Sequence, residues 1–208
     1  YKRQELVALA EKGEITTPSG DVVCPSRLRS LGHLLGASGG AEKLHYLLEY
    51  PHTSRAFRHD LAELLPYGGR NPLYAVIHES SYADGVVTNW SAARMLPNDF
   101  REDPTLLTGE HVMPEWFDTD QELRPWKEVA NLIANHPWPK LYDPDVLRTA
   151  EVPCAAAVYH DDAYVPREFS VETAALLPQM HAWVTTEYEH NGSNASSGAV
   201  LDLSLIHI

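Results

Sequence analysis

The first ~150 positions repeat an apolar stripe at helical spacing, broken by turn residues. Residues 2–12 predict a charged helix that ends at Gly13. After the turn Thr17-Pro-Ser-Gly-Asp21, residues 26–35 carry Leu28, Leu31, Leu34 and Leu35 on one face and stop at Gly36. Residues 41–50 repeat the stripe and stop before Pro51. Residues 54–65 stop before Pro66, with Phe57, Leu61, Leu64 and Leu65 on one side. Further helices are predicted over 72–81, 85–96 and 123–136, the last ended by Pro137.

The character changes near Glu151. Residues 152–159 form a continuous run of small apolar residues of strand length, which predicts a strand buried on both faces. Residues 167–177 predict a helix. Residues 182–188, with Trp183, Val184, Thr185 and Thr186, predict a second strand. Strand, helix and strand at this spacing imply a parallel, right-handed unit. The expected fold class is therefore α/β. A mostly helical domain over 1–150 precedes the last strands and helices of a parallel sheet over 151–202.

Chemistry concentrates where these strands end. Asp161 and Asp162 follow the first, at the carboxyl end of a parallel sheet, where open α/β folds keep their ligands. His190 follows the second and precedes the turn signal Asn191-Gly192. An aspartate there can accept a bond from histidine Nδ1–H and fix the tautomer a general base needs. The same aspartates suit a turn that caps the next helix. Spacing alone leaves both readings open.

Two other motifs carry less. Gly36-Ala-Ser-Gly-Gly40 satisfies G-x-S-x-G, but a nucleophile elbow needs a strand before the serine and a helix after it. A helical stripe precedes this one, so Ser38 is read as part of a helix cap and linker. His78-Glu-Ser-Ser-Tyr82 opens like a zincin motif and ends in tyrosine, one ligand short. No metal and no organic cofactor is expected.

Composition narrows the partners. A net charge of −13 lacks the basic footprint that nucleic acid or an anionic membrane requires. No apolar run reaches the ~18 residues of a membrane span. The two cysteines, Cys24 and Cys154, show no framework spacing and read as buried thiols of a reducing compartment. A cytoplasmic location follows as an expectation. The last six residues, Leu203-Ser-Leu-Ile-His-Ile208, match the translation of a transposase adapter used in DNA library preparation. They are set aside as an adapter-derived tail.

Four stretches carry a family resemblance: Ile77-His-Glu-Ser-Ser-Tyr82, Leu107-Thr-Gly-Glu-His-Val-Met-Pro-Glu-Trp-Phe117, Tyr159-His-Asp-Asp-Ala-Tyr-Val-Pro166 and Glu187-Tyr-Glu-His-Asn-Gly192. The chain resembles the C-terminal half of the proline iminopeptidases, or prolyl aminopeptidases, which are serine peptidases with an α/β-hydrolase fold and a helical cap. The resemblance runs from about Lys2 to Leu201. It places the catalytic acid on Asp162, through the spacing Asp162-Ala-Tyr-Val-Pro166, and the base on His190. It also implies that Glu79 and Glu110, in the cap, bind the imino group of an N-terminal proline. The peptide substrate is thus an expectation of the resemblance and not of the composition.

The family's nucleophile elbow and Gly-Gly-Pro-Gly loop find no match here. The parent protein is expected to be a peptidase, and this piece to be inactive. Two alternatives remain. One is an esterase or epoxide hydrolase on the same frame. The other is a non-catalytic helical interaction module. The oligomeric state is not legible in the chain.

Overall fold

The computed structural model describes residues 1–68 and 71–206. They divide into two compact units, Tyr1–Leu34 with Glu42–Leu141, and Leu35–Ala41 with the chain from Tyr142 onward. No helix among the described residues is long and apolar enough to cross a membrane.

The first unit is helical. α1 (Lys2–Glu11) turns its Leu6, Val7 and Ala10 inward. A bridge pairs Thr16 with Val22 around the predicted turn. α2 (Pro25–Arg29) starts on a proline and passes into a 3-10 segment, Ser30–Gly36. α3 (Gly40–Glu49) and α4 (Arg55–Leu64) follow. The Ser54 hydroxyl caps α4 by accepting from the Phe57 N–H at 3.1 Å. Leu6, Val7, Leu28, Leu31, Leu47, Phe57 and Leu61 close one core. Each such side chain contributes roughly 1.5–3 kcal/mol by leaving water.

The second core of this unit lies under α5 (Pro72–Ile77), which runs on as the 3-10 turn His78–Tyr82. α6 (Ser91–Met95), α7 (Asn98–Glu102), α8 (Trp116–Thr119) and α9 (Lys127–Ala134) complete the unit. The helix expected over 85–96 is only α6. Asn89 and Trp90 have φ of 47° and 58°, the left-handed region, so no helix passes through them. Burial of the Trp90 ring decides this. Its Nε1–H donates to Asn131 Oδ1 on α9 at 2.9 Å, and tertiary packing overrides local propensity.

The second unit holds α10 (Pro144–Arg148), β1 (Cys154–Tyr159), α11 (Arg167–Ala174), β2 (Met180–Thr185), α12 (Gly192–Ala195) and α13 (Ala199–Ile206). The strands pair in parallel, from Cys154 opposite Met180 to Tyr159 opposite Thr185. The predicted strand–helix–strand order therefore stands. Two details differ. β2 starts and stops earlier than expected, because Met180 and His181 pair with Cys154 and Ala155, and the Glu187 N–H turns back to Thr185 Oγ1 at 3.1 Å. β1 is only half-buried apart from Val158, since among the described residues it has one neighbouring strand. α13 runs into the tail through Ile206, while His207 and Ile208 lie outside the described residues.

Candidate active site

Parallel pairing delivers both strand ends to the same edge of the sheet. The His160 N–H donates to Thr185 O at 2.8 Å and extends the ladder one step beyond β1. Asp162 then lies three positions past Tyr159, and His190 five past Thr185. His190 Nδ1 stands 2.9 Å from Asp162 Oδ2. The Asp162 side chain is 6% exposed and that of His190 45%.

Asp162 serves the turn and the histidine together. Its Oδ1 accepts the N–H groups of Tyr164 at 2.8 Å and Val165 at 3.0 Å, which shapes the loop into Pro166 and α11. Its Oδ2 is left for the imidazole. Burial pushes the carboxyl upward, but the bonds from His190, Tyr164 and Val165 outweigh it and hold Asp162 below its ordinary value. A carboxylate can only accept, so Nδ1 carries the proton and Nε2 keeps its lone pair free to take one. Asp161 does something else: it is exposed and bonds to His160 Nδ1 at 2.9 Å.

The Tyr164 ring meets the His190 ring edge-on, with centroids 4.7 Å apart. Sequence reasoning missed this contact, although Tyr164 sits two residues past Asp162. Ser38 is no partner of the histidine among the described hydrogen bonds. Its hydroxyl donates to Glu189, and a 3-10 segment precedes it where an elbow needs a strand.

Glu79 and Glu110 belong to the first unit. Glu79 is 1% exposed, on the 3-10 turn after α5. Its Oε2 accepts the Ser91 N–H at 3.1 Å, at the start of α6. Its Oε1 is buried without a partner among the described residues. Such an oxygen costs at least ~1–3 kcal/mol when nothing donates to it. Glu110 is exposed and accepts from the Tyr74 hydroxyl at 3.4 Å.

A chain of bonds joins the Glu110 backbone to the 3-10 turn that carries Glu79. The Tyr82 hydroxyl donates to the Glu110 carbonyl at 3.3 Å and lies 3.0 Å from His78 Nε2. Since the hydroxyl proton goes to the carbonyl, Nε2 donates to Tyr82, and Nδ1 of the buried His78 is an acceptor with no partner among the described residues. Burial holds His78 below its usual value against the pull of Glu110 and Glu79. Burial, then Glu79 and Glu110, pushes the Tyr82 phenol up to about 12. The surroundings are aromatic: Tyr67 stacks on Tyr74 at 5.4 Å and tilts against His78 at 5.3 Å.

Trp116 and Phe117 are both 0% exposed and belong to the second core, whereas Tyr82 remains 42% exposed. For the short His78–Tyr82 motif, no group of three or more metal-ligating side chains is assembled among the described residues.

No family model matches the chain. It is 36% identical over 206 residues to a proline iminopeptidase of Aeromonas sobria, covering 92% of this chain and 47% of that protein. It is 25% identical over 214 residues to the proline iminopeptidase aneH of Aspergillus aculeatus, covering 97% of this chain and 46% of that protein. The chain spans about half the length of the curated relatives it matches. The resemblance to proline iminopeptidases read from four motifs thus extends over nearly the whole chain.

Proposed function

We propose that this chain is the C-terminal portion of a serine aminopeptidase that releases N-terminal proline from peptides. Its helical unit would act as the cap and its strand unit as the last part of an α/β-hydrolase sheet. In the reaction, a serine hydroxyl supplied from outside these residues attacks the scissile carbonyl. His190 Nε2 takes the hydroxyl proton and passes it to the departing amine, and water then repeats the sequence to free the proline. Asp162 holds the tautomer and stabilises the imidazolium.

Glu79 and Glu110 hold the substrate's secondary ammonium. The unpartnered Glu79 Oε1 supports this role, since a buried carboxylate oxygen is stabilised by a charged N–H donor far more than by a neutral one. Tyr82 and His78 keep the Glu110 backbone in register with Glu79. A protein working this way attacks only the chain end that carries the cation.

The observation that carries the reading is the 2.9 Å bond between His190 and Asp162 at the carboxyl ends of paired parallel strands. The chain alone, without a nucleophile elbow, should be inactive. The test is to offer the full-length protein a proline arylamide and a neutral acyl ester. Release of proline supports the assignment. Turnover of the ester alone moves it to an esterase on the same frame.

A further inference from the structure

Gly36-Ala-Ser-Gly-Gly40 has no place in the chemistry above, yet the three residues centred on the histidine are bonded to it. The His190 N–H donates to Gly36 O at 3.2 Å. The Ser38 N–H donates to Asn191 Oδ1 at 2.9 Å, and the Ser38 hydroxyl to Glu189 Oε2. These bonds lie within the second unit, across more than 150 positions of sequence. They act where the strand no longer does, because the histidine loop leaves the ladder after Thr185.

Packing adds a further link. A Cβ placed on Gly36 would come within 2.5 Å of Tyr164 Cζ, and Tyr164 is the ring set against His190. Glycine at 36 therefore lets one aromatic ring fill the space between the loop and the imidazole. Gly39, with φ of 77°, turns the chain away into α3 through the left-handed region.

We propose that the 36–40 loop is a positioning element for the catalytic base: it grips Glu189, His190 and Asn191 so that Nδ1 stays on Asp162. The inference rests on the reading of His190 as that base. Ser38, which resembles a nucleophile in the sequence, acts here through its backbone N–H and its hydroxyl as a clamp. None of the clamp residues needs to touch substrate, so their loss should lower kcat and leave KM within about twofold. A displacement of about 1 Å in a catalytic group costs on the order of 100-fold in rate.

The test uses Ser38→Ala, Asn191→Ala and the double variant, with Asn191→Asp as the conservative control that keeps the accepting oxygen. The first readout is the pair of imidazole nitrogen shifts of neutral His190 in the 208-residue chain, which report the tautomer. The second is kcat and KM of the full-length protein on a proline arylamide. The proposal expects an Nδ1–H tautomer in the wild type and in Asn191→Asp, and a mixture in the double variant. It expects a 10- to 100-fold loss of kcat in the double variant. A folded double variant that keeps the tautomer and kcat overturns it, as does a wild type without the tautomer. If the wild type releases no proline while the tautomer still responds to the clamp, the assigned reaction fails and the hold of the loop on His190 stands.

Discussion

The two candidate sites differ in how completely they are bonded. In the strand unit, Asp162 has donors on both oxygens and His190 is held from both sides, so the proposed acid and base already have a fixed geometry. In the helical unit, Glu79 has one oxygen on the Ser91 N–H and one with no partner among the described residues, and His78 Nδ1 likewise has none. Groups that transfer protons must hold a fixed angle throughout the reaction and are fixed by the protein. A group that recognises a cation keeps acceptor capacity in reserve for it. On the proposed reading, the finished hydrogen-bond set belongs to the catalytic pair and the unfinished one to the cation subsite.

The largest expected effect separates the two sites most sharply. In the full-length protein, Asp162→Asn should lower kcat about 10⁴-fold by favouring the wrong tautomer, with KM nearly unchanged. Glu79→Gln should act differently. It keeps an acceptor for the Ser91 N–H and removes the charge, so kcat/KM on proline substrates should fall by about 2 kcal/mol, roughly thirtyfold. Its Tm should stay the same or rise, because an uncompensated buried charge is gone. Equal losses with a neutral ester substrate would show that Glu79 is structural, and the contrast between the sites would collapse.

Glu110→Gln should cost less, about 0.5–1 kcal/mol in kcat/KM, because the side chain is exposed and its charge is screened. The smallest effect concerns pH. Asp162 is held below its ordinary value of 3.8, so its contribution to stability is complete above that value and is lost as pH falls through the depressed one. Tm measured from pH 5 down to pH 2 should fall more steeply in the wild type than in Asp162→Asn.

Much of this was legible in the residues. Helices ended by Gly13, Pro51 and Pro66 stop where those breakers require. The strand pair showed itself through apolar runs of the right length, and the strand ends pointed to Asp162 and His190. Spacing alone did not separate Asp162 from Asp161. That choice depends on the turn, where the Tyr164 and Val165 N–H groups capture Asp162. The break at Asn89 and Trp90 was hidden because its cause, Asn131, lies on another helix. The burial of Glu79 was hidden for the same reason: its partner, Ser91, comes twelve positions later. The 36–40 loop was rightly set aside as a nucleophile elbow, but its bonds to Glu189 and Asn191 were hidden because those partners lie more than 150 positions away.

The most direct test of the central claim is the rate of proline arylamide hydrolysis by the full-length protein, wild type against His190→Ala. The wild type should release proline, and the variant should lose at least about 10³-fold in kcat. Hydrolysis at an undiminished rate by His190→Ala would contradict it.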